Sequence, residues 1–185
     1  MSDLARKLGD ELLAKDKKVV SVESCTGGGV AFAITGVPGS SQWFEKSWVT
    51  YSNQAKHEEV GVNLASLAEF GAVSSQVVRE MAEGGLQKSG ADLCISISGV
   101  AGPGGGTVSK PVGLVWFAIA LKTNEVKPEQ VNTIDTLHSN GSANKHSNQI
   151  HTRCFSRCFS GDRQQVRDQA INLALKELIV SLVNT

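Results

Sequence analysis

Three consecutive glycines, Gly27-Gly28-Gly29, form a turn between two short apolar segments. Upstream, Val19 to Glu23 is rich in β-branched residues and reads as a short strand. Downstream, Val30 to Ile34 is an apolar run that suits a buried helix. A strand that hands over to a helix through glycine is a unit of an α/β layered sheet.

The rest of the chain repeats the alternation. Leu4, Leu8 and Leu12 recur among charges and predict an amphipathic first helix. Val37-Pro38-Gly39-Ser40 is a turn, and Phe44 to Tyr51 a strand. Helices are expected over Asn53 to Gly61 and Ser75 to Lys88, the second ended by Ser89-Gly90. Leu93 to Ser98 and Gly113 to Leu121 read as strands on either side of a glycine-rich loop, Gly99 to Gly106. Lys122 to Thr152 is polar, rich in Asn, Ser and His, and reads mostly as a long loop inserted into the domain. Regular structure is expected again at Arg153 to Phe159. A last helix is expected from Asp162, whose carboxylate can cap the first turn, with Val166, Ala170, Leu173, Ala174 and Leu178 on its buried face.

The length of 185 residues fits one domain, so the expected architecture is a single α/β/α sandwich with a mixed sheet spanning the chain. Lys plus Arg and Asp plus Glu both number 18, and the basic residues are scattered, which argues against a nucleic-acid partner. No apolar run reaches the roughly 18 to 20 residues that span a bilayer. The N-terminus opens into a charged amphipathic pattern, so no membrane association is expected and the cytoplasm is the expected location. Cys25, Cys94, Cys154 and Cys158 are scattered, which fits reduced thiols rather than a disulfide framework.

Chemistry concentrates in Glu23-Ser24-Cys25-Thr26-Gly27-Gly28-Gly29. A serine at a strand-to-helix junction is lifted clear of the sheet, and the first helical amides are unpaired donors facing the same space. Ser24 can therefore attack a carbonyl while amides around Thr26, Gly27 and Gly28 hold the oxyanion. A capped turn is the ordinary alternative. A serine nucleophile needs a base. His57 is the sole histidine in the patterned parts of the chain, and no Ser-His-Asp triad assembles around it. Lys56 follows a buried-looking strand, and a desolvated lysine can accept a proton near neutral pH. Tyr51, the single tyrosine, ends that strand and could relay or donate a proton.

Gly102, Gly104, Gly105 and Gly106 lie in a loop that resembles a backbone-amide cradle for a phosphate or oxyanion, without a Walker or dinucleotide pattern. Arg163 stands at a helix start, where a guanidinium reaches phosphates and carboxylates. Cys25 is an alternative nucleophile, and His151, Cys154 and Cys158 an alternative metal set with His138 and His146 nearby. Neither has the setting its chemistry favours: Cys25 suits a small buried residue behind the turn, and the histidines fall in the polar stretch.

Several segments together resemble the CinA C-terminal domain family, whose standalone members include nicotinamide mononucleotide deamidases. They are Glu23 to Gly28, Val37 to Phe44, Val49 to Lys56, Phe70 to Ser74, Ser98 to Gly106, Lys110 to Gly113 and Phe159 to Arg163, in the family's order. The resemblance implies hydrolysis of nicotinamide mononucleotide to nicotinic acid mononucleotide and ammonia. It also implies a Ser24-Lys56-Tyr51 site, Arg163 as a further functional residue, no metal or organic cofactor, and a homo-oligomer, a dimer or larger. Longer members carry a further N-terminal domain, whose activity is not carried over. Two other readings stand beside this one: a non-catalytic pyridine-nucleotide sensor, and an amidase for a different small carboxamide.

Overall fold

A computed structural model describes residues 2–123 and 149–183. In chain order the elements are α1 (Ser2–Ala14), β1 (Val19–Glu23), α2 (Gly29–Thr35), a 3-10 turn (Ser40–Gln42), β2 (Phe44–Val49), α3 (Asn53–Val60), α4 (Leu64–Phe70) and α5 (Ser75–Ser89). Then follow β3 (Leu93–Gly99), β4 (Leu114–Thr123), β5 (Gln149–Cys158) and α6 (Arg163–Val183).

The strands form one mixed sheet in the order β2-β1-β3-β4-β5. β1 pairs in parallel with both β2 and β3, and β4 runs antiparallel to β3 and to β5. Strand periodicity sorts the core into two layers. Val19, Leu93, Ile95, Ile97, Val115, Phe117 and Ile119 pack with α1, α2 and α6 on one face. Val20, Val22, Cys94, Ala118 and Ala120 pack with α5 on the other. β1 is buried at all five positions, as a central parallel strand covered on both faces must be. The α/β/α sandwich with a mixed sheet is the expected architecture.

Close packing of α5 brings α3 down onto the sheet. A Cβ on Gly85 would lie 2.6 Å from the Val22 side chain of β1, and one on Gly84 would collide with the Val60 carbonyl of α3. Bulkier residues would push both elements away. Because β1 has parallel neighbours on both sides, the chain leaves it towards β2 over one face and returns to β3 over the other. The crevice at the C-terminal end of β1 is therefore a topological switch point, the usual place for a ligand in an open α/β sheet.

Several boundaries differ from the sequence expectation. β2 ends at Val49, so Tyr51 lies beyond the strand rather than at its end, and several other strand and helix ends shift by a residue or two. Helix α4 is short, capped by the Asn63 side chain, and carries too little periodicity to be seen in the sequence. The polar stretch is narrower than Lys122 to Thr152: Lys122 and Thr123 pair with Ile150 and Gln149, and His151 and Thr152 continue β5. Cross-strand pairing overrides their polar character, and the remainder of that stretch lies outside the described residues. No described helix is long and apolar enough to cross a membrane.

Candidate active site

The loops that follow β1, β2, β3 and β5 all open at the same edge of the sheet. Ser24 directly follows β1, with its N–H donating to Ile97 O at 2.9 Å. Strand alternation turns its side chain towards the α3 and α5 layer. The turn beyond it needs glycine, because Gly27 and Gly28 have φ of 58° and 89°.

Glu23 holds this turn in place. Its buried carboxylate accepts from Thr26 Oγ1 at 2.7 Å, Ala31 N–H at 3.0 Å and Val30 N–H at 3.1 Å. Ser21 Oγ stands 3.2 Å away. One acidic side chain thus ties the end of β1 to the first turn of α2, where free amides favour a negative charge. Glu23 has a holding role in the turn that the motif around Ser24 does not announce. The signal lies in its position instead, since a carboxylate at the end of a buried strand needs several donors.

Lys56 comes from α3, whose N-terminus is capped by Ser52 Oγ accepting from Ala55 N–H at 3.0 Å. The side chain is 1% exposed and ends 3.1 Å from Ser24 Oγ. Its Nζ also donates to Thr50 O at 2.8 Å and Tyr51 O at 3.3 Å. Burial pushes the ammonium down from its ordinary 10.5 to about 8. A neutral amine has two N–H groups and one lone pair. The two carbonyls can only accept, so they take the N–H groups, and the lone pair is left for the Ser24 hydroxyl. This arrangement can deprotonate a serine.

Tyr51 contributes its backbone carbonyl to Lys56, but its hydroxyl points elsewhere. It accepts from Arg163 Nη2 at 2.9 Å, while Arg163 Nη1 donates to Gly102 O at 2.8 Å. Arg163 opens α6 beside a reciprocal cap, with Gln165 N–H donating to Asp162 Oδ1 and Asp162 N–H donating to Gln165 Oε1. The structure thus joins Ser24 to Lys56 directly, and Tyr51 to Arg163 and the glycine-rich loop.

The amides divide unequally. Gly27 N–H is taken up by Ser24 O at 3.0 Å. Those of Thr26 and Gly28, and of Gly104, Gly105 and Gly106, have no intramolecular partner among the described residues. Cys25 faces the opposite layer in the core with α1, α2 and α6, and burial raises its thiol to about 11. A protonated, buried thiol is a poor nucleophile. His151 and Cys154 fall on opposite faces of β5, and His138 and His146 lie outside the described residues. Among the described residues no three His, Cys, Asp or Glu side chains group as a metal site.

Hollows of about 260 Å³ and 410 Å³ lie beside Trp43 and beside Gln165, and neither is lined by Ser24 or Lys56.

Fold and site define a mixed-sheet α/β protein with a buried serine-lysine pair at the switch point of the sheet. The chain belongs to the CinA C-terminal domain family, whose model matches residues 1–147. It is 43% identical over 183 residues to the nicotinamide-nucleotide amidohydrolase PncC of Enterobacter agglomerans, covering 97% of this chain and 96% of that protein. It is 44% identical over 178 residues to the protein of the same name from Escherichia coli K12, covering 96% and 92%. A CinA superfamily crystal structure from Klebsiella pneumoniae superposes with a TM-score of 0.80 at 31% identity, over 100% of this chain and 98% of that one. A competence/damage-inducible protein from Agrobacterium tumefaciens gives 0.78 at 32% identity, over 98% and 94%.

Proposed function

We propose that the chain is a nicotinamide-nucleotide amidase that hydrolyses nicotinamide mononucleotide to nicotinic acid mononucleotide and ammonia. The observation that carries the chemistry is the contact between buried Lys56 and Ser24 Oγ. The substrate is supported by the similarity to PncC amidohydrolases over nearly the whole of both chains.

In this reading neutral Lys56 takes the Ser24 proton as Oγ bonds to the carboxamide carbon. The free amides of Thr26 and Gly28 receive the oxyanion, each such donor contributing on the order of 3 kcal/mol where one has been removed from other enzymes. Protonated Lys56 then returns the proton to the amide nitrogen as the C–N bond breaks and ammonia leaves. Water is deprotonated by Lys56 and attacks the acyl carbon, Ser24 recovers its proton, and the carboxylic acid departs. The direct contact between Lys56 and Ser24 favours proton transfer between them without a relay. Tyr51 then acts through Arg163, holding that guanidinium and the Gly102 loop at the rim where the nucleotide lies.

A substrate panel tests the reading. Nicotinamide mononucleotide should yield ammonia and nicotinic acid mononucleotide in equal amounts, while simple amides such as acetamide or benzamide should give neither product class at comparable rates. Binding of the nucleotide without ammonia release would favour a sensor instead, and faster hydrolysis of an unrelated carboxamide would reassign the substrate.

A further inference from the structure

Two guanidinium groups sit one turn apart at the start of α6, at Arg163 and Arg167, on the same side of the helix. Arg163 is held by Tyr51 and Gly102. Arg167 Nη2 donates to Thr26 O at 3.1 Å, and its Nη1 donates to Gln164 Oε1 at 3.1 Å. Every one of these acceptors is neutral. The ion pairs among the described residues are Lys18 with Glu45, Arg79 with Glu83 and Arg153 with Glu177, so neither arginine is compensated by a carboxylate. The nearest acids on the helix are engaged otherwise: Asp162 caps its first turn and Asp168 accepts from Gln164.

Arg167 lies against the nucleophile turn itself. Thr26, whose carbonyl it holds, is two residues beyond Ser24, and a Cβ on Gly27 would lie 3.7 Å from the Arg167 guanidinium. Its charge is also felt at Cys25, next to the nucleophile. Each guanidinium has five N–H donors, so both arginines retain free ones beyond the contacts named. Two uncompensated guanidiniums, one against the turn that carries Ser24 and one against Tyr51 and the glycine-rich loop, are suited to a dianion, and their fork geometry matches phosphate oxygens. The exposed amides of the glycine-rich loop offer donors without that charge.

We propose that Arg167, together with Arg163, seats the substrate's phosphate and makes the site select a nucleotide over its dephosphorylated nucleoside. The proposal rests on the amidase reading for the identity of the nucleotide. Arg163 fixes one side of the seat through Tyr51, and Arg167 supplies the donors nearest the nucleophile turn.

Calorimetric binding to the Ser24→Ala protein, which leaves the ligand intact, tests this with three probes: nicotinamide mononucleotide, nicotinamide riboside and inorganic phosphate. Adding Arg167→Ala should weaken the mononucleotide by about 10- to 100-fold and abolish phosphate binding, as loss of charge-assisted hydrogen bonds requires. The riboside should change less than about twofold, which also reports an intact fold, and Arg167→Lys should restore part of the mononucleotide affinity. Equal weakening of mononucleotide and riboside would overturn the proposal and make Arg167 a support for the turn. So would an unchanged affinity for the mononucleotide. Ammonia release by the wild-type protein is measured alongside. Phosphate binding that depends on Arg167 without any ammonia release would support the seat while overturning the amidase reading. Ammonia release with phosphate-blind binding would overturn the seat alone.

Discussion

Lys56 Nζ lies 3.1 Å from Ser24 Oγ while two backbone carbonyls, of Thr50 and Tyr51, receive its N–H groups. That geometry holds the amine as an acceptor towards the serine whenever it is neutral. Since burial brings Lys56 to about 8, kcat/KM should rise with pH to a plateau, following a single ionisation near that value. A pH–rate profile from about 6 to 10 checks it; activity that falls through this range would remove Lys56 as the base.

The same ionisation affects stability. Lys56 titrates near 8 when folded and near 10.5 when unfolded, so between these values the unfolded chain binds more protons. Stability contributed through Lys56 is therefore lowest below about pH 8, where both states are charged, and recovers as pH rises towards 10.5. Thermal unfolding of wild type and Lys56→Met should show the wild-type Tm gaining on the variant across that window. A difference independent of pH would contradict the burial of an ionisable amine.

Glu23→Gln turns one acceptor oxygen of the turn into a donor, facing either Thr26 and Val30 or Ala31 and Ser21. The cost should be about 1–3 kcal/mol, seen as a Tm lowered by roughly 2–4 °C per kcal/mol for a chain of this size. kcat should fall with it, because Ser24 is adjacent to the carboxylate. An unchanged Tm would show that the carboxylate does not hold the turn.

Thr50 Oγ1 is buried without a hydrogen-bond partner among the described residues, although the Thr50 carbonyl receives Lys56. Thr50→Val keeps the shape and the carbonyl and removes a buried hydroxyl that has no partner, so Tm should rise, by up to about 2 kcal/mol of stability, with kcat retained. Loss of stability in this variant would show that the hydroxyl has a partner, such as an ordered water.

Most of the sheet was legible because its apolar segments are short, β-branched and punctuated by glycine: β1 is found at Val19–Glu23, as expected, and α2 begins one residue before the expected Val30. The paired ends of β4 and β5 were not, since Lys122, Thr123 and Gln149 to Thr152 are polar and owe their extended form to each other. Ser24, Lys56, Tyr51 and Arg163 could be named from residue type and motif, but their grouping depends on the strand order. Only the parallel pairing of β1 with β2, continued by Thr50 N–H donating to Glu23 O, sets the Lys56 helix over the end of β1. Arg167 carried no signal of its own. Its meaning comes from the carbonyl it touches across 141 residues of sequence.

Ammonia release from nicotinamide mononucleotide by wild type and Ser24→Ala, at a pH above the Lys56 ionisation, is the most direct test of the nucleophile. The variant should retain the fold and lose more than about a thousandfold in rate, as removal of a serine nucleophile does in hydrolases. Wild-type ammonia release by Ser24→Ala would contradict the account.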